Sequence, residues 1–299
     1  MRLPPLLSAG ARVALVAPAG PLRGPEELDA SVANARALGW DPLPGPNVLG
    51  RNGYLSGTDA ERIQDINAAL ADERIDAIWC VRGGYGAMRL LPHVDWASLT
   101  RRPRALIGFS DVTALHAAAS TRCELVTYHG PTARGTLTEF SRSSLVRAVV
   151  EGRDPCGPAP GARTVRGGRA RGRLVGGNLA LLASLAGTPY APDYQNGILV
   201  LEDIGEPGYR IDRMLRQLLL SGAFDGIAGL AVGHFTEPPS GHELSLDAID
   251  ALLGEVADVA GVPVLAGVPL GHIDDQWTIP LGAMAQLDAD ALSLTVELP

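Results

Sequence analysis

The chain has 299 residues, a net charge of −8, 46% apolar residues and 19% charged residues. This length and apolar content predict one large or two medium folded domains and exclude disorder as the default state. The negative charge argues against nucleic acid or an anionic membrane as a partner, because both call for a basic surface. All 25 basic residues are arginine, so every side-chain cation in a site must be Arg or His.

The three cysteines, Cys80, Cys123 and Cys156, are scattered and odd in number. They form no CxxC motif and no Cys/His spacing typical of zinc, so we expect a reducing compartment. The apolar N-terminus is interrupted by Pro4 and Arg12, and no uninterrupted apolar run reaches the ~18 residues of a membrane span. A cytoplasmic location is therefore expected.

The first half of the chain alternates predicted strands and helices. In chain order the segments are RVALVAPAG (strand), EELDASVANARALG (helix), TDAERIQDINAALADE (helix), IDAIWCV (strand) and RALIGF (strand). Gly39 lies just past the first helix, and Thr58 with Glu61 has the spacing of a capping box at the start of the second. Strands separated by helices predict a parallel, doubly wound α/β sheet.

Regular patterning stops between Gly135 and Arg173, where Gly, Pro and Arg are abundant. We therefore place an N-terminal domain at residues 1–150, a solvated linker at 151–172 and a C-terminal domain at 173–299. The C-terminal patterns, in order, are NLALLASLAG (helix), GILVL (strand), GYRIDRMLRQLLLSG (helix), IAGLAVG and VPVLAGV (strands), and MAQLDADALSLTVEL (strand, turn, strand).

Three apolar runs end next to reactive side chains: Ser110 after ALIGF, Glu202 after GILVL and His272 after VPVLAGVPLG. Ligands of open α/β sheets bind beyond the carboxyl ends of the strands, so these residues could share a pocket. In the α/β-hydrolases, which have the same Ser, acid, His order, the imidazole deprotonates the hydroxyl and the carboxylate orients the imidazole. The structural alternatives are a helix cap for Ser110, a solvated loop or a cap of the following helix for Glu202, and a hydrogen-bonded core residue for His272. GFSD also lacks the second glycine of the G-x-S-x-G elbow.

A glycine-rich turn, with Arg82, Gly83, Gly84 and Gly86, follows the strand IDAIWCV. Paired glycines let the backbone approach a ligand and direct N–H groups at it. The spacing matches neither the P-loop nor the G-x-G-x-x-G fingerprint of a phosphate site. An oxyanion hole fits better, with one N–H from Gly84 and one from Asp111, the residue after Ser110. A simple tight turn is the structural alternative.

The motifs RGGYG, GFSD, GGNL, LED and GH occur in this order, and the chain resembles the LD-carboxypeptidases, serine peptidases also called muramoyltetrapeptide carboxypeptidases. The similarity extends from ALVAPAGP to VPVLAGVPLGHIDDQWTIPLG. It implies a flavodoxin-like N-terminal α/β domain, a smaller β-rich C-terminal domain, an active site between them and a homodimer. There are two departures, and neither changes Ser110, Glu202 or His272: APAG stands where many members have a serine after the proline, and Phe109 replaces a common tyrosine.

The resemblance also implies residue roles. Ser110 is the expected nucleophile, Glu202 the triad acid and His272 the general base, and the amides of Gly84 and Asp111 form the oxyanion hole. The implied reaction removes the terminal D-alanine from murein tetrapeptides, with murein peptide fragments as substrates and no metal or other cofactor.

A carboxypeptidase must bind a free carboxylate. The candidate residues are Arg82 and Gly83 in the glycine turn, with the amides of Gly177 and Asn178 at the GGNL segment. The alternative for Arg82 is to hold the turn together through backbone carbonyls.

Other functions remain open at this point. Within the family, the alternative is a self-immunity hydrolase that cleaves an aminoacyl-nucleotide antibiotic, with Trp277 as a candidate for stacking the adenine or as a structural residue. A non-catalytic peptide-binding protein would not need all three reactive side chains. A metallohydrolase finds little support, because no HExxH motif is present. His129 and His234 are expected to line the pocket.

Overall fold

The structure, a computed structural model, describes residues 1–238, 240–241 and 244–298 and contains two β-sheets with flanking helices. The strands are β1 Arg12–Val16, β2 Asp41–Pro44, β3 Ala77–Cys80, β4 Ala105–Gly108, β5 Thr127–His129, β6 Arg163–Arg166, β7 Arg169–Asn178, β8 Gly197–Ile204, β9 Gly229–Thr236, β10 Val264–Ala266, β11 Ile279–Leu281, β12 Met284–Asp288 and β13 Ser293–Glu297. The α-helices are α1 Pro25–Ala37, α2 Asp59–Ala71, α3 Trp96–Arg101, α4 Thr113–Cys123, α5 Glu139–Val146, α6 Leu179–Leu185, α7 Gly208–Leu220 and α8 Leu246–Ala260.

The first sheet has the strand order β2-β1-β3-β4-β5, all parallel, with β11 added antiparallel to β5. The order 2-1-3-4-5 is the flavodoxin-like one, so the predicted fold class is confirmed. Alternate residues of each strand point to opposite faces: Ala14 and Val16 pack with α2 and α4, whereas Val13 and Leu15 pack with α1 and α5. The sheet is therefore covered on both faces.

The predicted capping box of α2 is confirmed. Thr58 Oγ1 accepts a hydrogen bond from the backbone N–H of Glu61 at 3.2 Å, and Glu61 Oε2 accepts one from the backbone N–H of Thr58 at 2.7 Å. Two otherwise unpaired amides at the helix start are thus satisfied by one pair of side chains.

The second sheet has the strand order β13-β12-β7-β8-β9-β10-β6. Strands β7 to β10 are parallel, and β12, β13 and β6 add antiparallel edges. Helices α7 and α8 pack on one face through Leu215, Leu218, Leu253 and Val256. The sequence patterns predicted β8, β9, β10 and the β12–β13 pair, but no pattern indicated α8.

The stretch predicted as a linker has regular structure. Residues 151–172 contain β6 and the first residues of β7, and the preceding unpatterned region contains α5 and a π-helical turn, Arg147–Glu151. Strand β6 pairs with β10, for example Arg166 opposite Val264, and so forms an edge of the second sheet. Residues of β6 are half-buried or exposed, which explains why no apolar run indicated a strand. The domain boundaries 1–150 and 173–299 stay predictions.

The segment between β10 and β11 carries His272 from the second sheet back to the first. Strand β11 pairs with β5, with Ile279 opposite His129. The segment is also held by α5: Ser141 Oγ accepts from the backbone N–H of Gln276 and Ser144 Oγ accepts from that of Thr278, at 2.9 and 2.8 Å. Both halves of the chain therefore fix the position of this segment.

Candidate active site

Ser110 lies on a strained turn between β4 and α4. Its φ is +64°, a left-handed conformation that costs a non-glycine residue on the order of 1–3 kcal/mol. The first residue of the following short 3₁₀ turn is Ser110 itself, and the turn starts without a side-chain cap. The helix-cap alternative is therefore wrong. A serine on a strained strand-to-helix turn is instead the geometry of a nucleophile elbow.

Two hydrogen bonds hold this turn. His116 Nε2 lies 2.8 Å from the carbonyl oxygen of Gly108, and Asp111 Oδ2 accepts from the backbone N–H of Ala87 at 2.7 Å. Burial raises the pKa of Asp111 to about 6, although the Ala87 amide and the Arg62 charge oppose the shift. The Asp111 side chain therefore ties the serine turn to the glycine turn, a role that only the folded chain reveals.

The glycine turn contacts the serine directly. A β-carbon at position 83 would lie 2.8 Å from Ser110 Cβ and 2.9 Å from Ser110 Oγ, closer than real contacts allow. Gly84 has a φ of +116°, and a β-carbon there would lie 3.0 Å from Gly20 Cα. Glycine is thus needed at position 83 by the approach of the serine and at position 84 by backbone conformation.

His272 and Glu202 form a hydrogen-bonded pair. His272 Nδ1 lies 3.0 Å from Glu202 Oε2, and the side chain of Glu202 is 1% exposed, against 18% for His272. A β-carbon at Gly271 would lie 3.1 Å from the same carboxylate oxygen. The ring of His272 packs against Phe109, the residue before Ser110, with centroids 4.8 Å apart. The structure therefore brings the histidine, its carboxylate and the serine turn together.

Asp203, the neighbour of Glu202, supports a different element. Its carboxylate accepts from Asn178 Nδ2 at 2.8 Å and from the backbone N–H groups of Ala180 and Ile204. Burial raises the pKa of Asp203 to about 6, against the opposing effect of these hydrogen bonds. Asp203 thus fixes the start of α6.

The GGNL segment joins the two halves. Asn178 donates its backbone N–H to Thr113 Oγ1 at 3.0 Å, and its side-chain oxygen caps α6 at Leu181. A β-carbon at Gly177 would lie 2.6 Å from Thr113 Oγ1 and 3.3 Å from His129 Nδ1. The backbone N–H of Asn178 is thus used within the protein, and its side-chain amide donates to Asp203.

Arg82 holds the region around the glycine turn, as the structural alternative expected. Its Nη1 donates to the backbone carbonyl of Pro21, and Gly20 donates its N–H to the carbonyl of Gly83 at 3.0 Å. Arg82 is half-buried, and its guanidinium has further N–H groups with which to bind a carboxylate.

Three other candidate side chains, Trp277, His129 and His234, are not part of the group formed by Ser110, Glu202 and His272. Trp277 is 1% exposed and packs in the core of the second sheet, so it offers no surface for stacking a ligand. His129 is buried beneath Phe109, and burial, with the nearby His116 and His272, lowers the pKa of His129 to about 3. His234 is half-buried.

No cluster of three or more His, Cys, Asp or Glu side chains suited to a metal ion occurs in the part of the chain that the structure describes. Over the same residues, no helix has the length and apolar character needed to cross a bilayer.

Family models match both halves of the chain: the LD-carboxypeptidase N-terminal domain over residues 13–130 and the LD-carboxypeptidase C-terminal domain over residues 171–287. A putative carboxypeptidase of Streptomyces coelicolor is 43% identical over 99% of this chain and 96% of its own length. The murein tetrapeptide carboxypeptidase of Pseudomonas aeruginosa is 36% identical over 94% of both chains.

Solved structures show the same fold. The muramoyltetrapeptide carboxypeptidase from Oxalobacter formigenes superimposes with a TM-score of 0.81 at 29% identity, covering 96% of this chain and 98% of its own. The microcin C7 self-immunity protein MccF superimposes with a TM-score of 0.91 at 22% identity, covering 100% and 99%. At that identity the second likeness concerns the fold alone.

The contact between Gly83 and Ser110 predicts that Gly83→Ala will be folded but impaired. The added methyl group must displace the serine, and a displacement of this kind costs about 10²-fold in rate. Peptide turnover followed by mass spectrometry, beside thermal unfolding, measures both effects. Gly254→Ala is the matched control, because nothing lies within 4 Å of a β-carbon there. Unchanged turnover in Gly83→Ala would contradict the contact.

Buried His129 predicts a loss of stability in acid. Its folded-state pKa is depressed below the usual value of 6.5, so as the pH falls below 6.5 the unfolded chain takes up a proton that the folded chain refuses. We expect the free energy of unfolding in urea to fall less between pH 7 and pH 4.5 in His129→Gln than in the wild type. The exposed His93→Gln is the control, and identical pH profiles for His129→Gln and wild type would refute the effect.

Proposed function

The chain belongs to the LD-carboxypeptidase family of serine carboxypeptidases, and from this premise we propose that it hydrolyses the L,D-peptide bond of murein tetrapeptides and releases the terminal D-alanine. The observation that carries the proposal is the meeting of the strained Ser110 turn with the Glu202–His272 pair, across the two halves of the chain. Homodimer formation and a cytoplasmic location stay predictions from the sequence.

The proposed reaction begins with proton transfer. Because His272 Nδ1 is engaged by Glu202, Nε2 is the nitrogen left to take the proton of the Ser110 hydroxyl. The serine oxygen attacks the carbonyl carbon of the L-configured residue, and the resulting oxyanion is held by the amides of Gly84 and Asp111. Hydrogen bonds between catalytic groups, such as the one expected between the Ser110 hydroxyl and His272, often reach their working length only in the substrate complex.

The second half of the reaction reverses the proton path. His272 gives its proton to the amine of D-alanine as the C–N bond breaks, which leaves an acyl group on Ser110. Water, deprotonated by His272, then attacks the acyl group and frees the serine. Buried Glu202 stabilises the imidazolium in both steps, because its charge lies 3.0 Å from the ring with little water between them to weaken the attraction.

The glycine turn supplies the binding surface in this proposal. Arg82 is the candidate for the free carboxylate of the substrate, and Gly83 leaves room for the substrate backbone beside the serine. Gly177 and Asn178 contribute by fixing the start of α4 against β7, since their contacts lie within the protein.

The alternative function, hydrolysis of an aminoacyl-nucleotide antibiotic, uses the same three residues. Burial of Trp277 removes the aromatic residue that the sequence offered for stacking a base, so this residue no longer supports the alternative. Incubating the purified protein with each substrate separates the two functions.

We expect Ser110→Ala to lower the rate of D-alanine release by on the order of 10⁶-fold, because no nucleophile remains. Mass spectrometry of a murein tetrapeptide incubated with the variant measures the release, and circular dichroism checks the fold. The exposed helical Ser184→Ala serves as the control. Turnover near the wild-type rate in Ser110→Ala would refute the nucleophile assignment.

Glu202→Gln should remain folded and turn over about 10³–10⁴-fold more slowly, since the imidazolium loses its counter-charge and the ring its preferred tautomer. The rate constant kcat for D-alanine release reports the effect, with exposed Glu73→Gln as control. An unchanged kcat would mean that another carboxylate acts on His272. Asp203 is the nearest in sequence, although its hydrogen bonds point elsewhere.

A further inference from the structure

Guanidinium groups gather at residues 21–27, which comprise the end of the connection between β1 and α1 and the first turn of α1. Arg82 donates to the backbone carbonyl of Pro21, and Arg51 Nη2 donates to that of Leu22 at 3.0 Å. Within the described residues, neither of these two arginines has a carboxylate at ion-pair distance. Two positive charges are therefore held at this segment by neutral carbonyl groups.

Glu27 is the carboxylate at the centre of this group. Its Oε1 accepts from Arg134 Nη1 at 2.7 Å and lies 3.9 Å from Arg23 Nε, while its Oε2 accepts from the backbone N–H of Arg23 at 2.8 Å. Burial would raise the pKa of Glu27, but these hydrogen bonds and charges outweigh it and lower the pKa. Even when the exposed Glu26 is included, four guanidinium groups face two carboxylates, in a protein whose net charge is −8.

The backbone places Arg134 beside Arg82. The N–H groups of Ala133 and Arg134 donate to the carbonyls of Cys80 and Val81 at 3.0 and 3.4 Å, so the chain after β5 runs alongside the chain after β3. Arg134 Nε is buried and has no hydrogen-bond partner among the described residues. This guanidinium is therefore only partly satisfied by Glu27.

The group borders the glycine turn that contacts Ser110. It sits beyond the carboxyl ends of β1 and β3, where the strand order 2-1-3-4-5 changes direction and ligands of such sheets bind. Gly20, one residue before the segment, is hydrogen-bonded to Gly83, which contacts Ser110. The guanidinium groups are therefore connected to the serine through the glycine turn.

We propose that Arg134 and Arg82 together form the subsite for the terminal carboxylate of the peptide. When no substrate is bound, the carboxylate of Glu27 is ion-paired with Arg134 in place of the substrate carboxylate. This rests on the proposed function and assigns Arg134 and Glu27 a part in it. Two adjacent guanidiniums recognise a carboxylate through several charge-assisted hydrogen bonds. Glu27 limits the repulsion between them in the free protein, so the incoming carboxylate takes over a contact that is already formed.

The test measures binding in the Ser110→Ala background, where turnover does not interfere. Calorimetric titration uses a murein tetrapeptide and its C-terminal amide. We expect the acid to bind at least about tenfold more tightly than the amide, which is ~1.4 kcal/mol, and we expect Arg134→Gln to remove that preference by weakening the acid alone. Arg169→Gln, on the far end of β7 and paired with Asp288, should keep the preference.

The same preference in Arg134→Gln as in its parent overturns the subsite, as does the absence of any preference in the parent. A peptide amidated on a side-chain carboxylate distinguishes the source: if Arg134→Gln instead removes a preference for that group, the terminal assignment is wrong. Glu27→Gln should tighten binding of the acid, and weaker binding overturns the role of Glu27. Turnover by wild type is scored separately, so failure to release D-alanine counts against the proposed function and not against the subsite.

Discussion

The pairing of β11 with β5 is the interaction on which the candidate site depends. After β10 the chain leaves the second sheet, passes through His272 and forms β11, an edge strand of the first sheet. Glu202 stays at the end of β8, and the returning segment places the imidazole against it and beside Phe109. The position of His272 relative to Glu202 and Phe109 is thus set by backbone hydrogen bonds of the first sheet. The hydroxyls of Ser141 and Ser144 add a second set of contacts.

A strained serine needs surroundings that over-determine its conformation. Here the left-handed Ser110 is flanked by two anchors: the His116 bond to Gly108 before it and the Asp111 bond to Ala87 after it. The second anchor links the serine turn to the glycine turn, so the two expected amide donors cannot drift apart independently. Asp111 and Asp203 are buried carboxylates with raised pKa values, and each accepts backbone hydrogen bonds that hold neighbouring segments together.

Much of the architecture could be predicted from local pattern. Buried strands that are apolar runs ended by turn residues were predicted correctly, as were Thr58 and Glu61 as the cap of α2; these strands are β1, β3, β4, β8, β9 and β10. The parallel strands β2, β5 and β7 were not predicted, because β2 is rich in proline, β5 has three residues and β7 begins in the arginine- and glycine-rich stretch. The candidate site residues could be proposed because each comes at the end of an apolar run, but Ser110 and Glu202 lie at strands of different sheets, so a single shared carboxyl edge does not explain their meeting. The strands β11 and β6 were also missed, because they are recognisable only from distant partners: β11 has three residues, and the four residues of β6 are half-buried or exposed. The burial of Trp277 and the role of the Asp111 side chain follow from neighbours far along the chain.

The shared sheet also has a consequence for dividing the molecule. A fragment that stopped at residue 150 would leave β5 with unpaired amides and carbonyls along its outer side, and such an open border invites strand addition from another molecule. A fragment that began at residue 173 would in turn carry β11 with nothing to pair against and would lack β6 at the other border of its own sheet. Neither half is therefore expected to fold cleanly without the other, although each contributes most of one sheet.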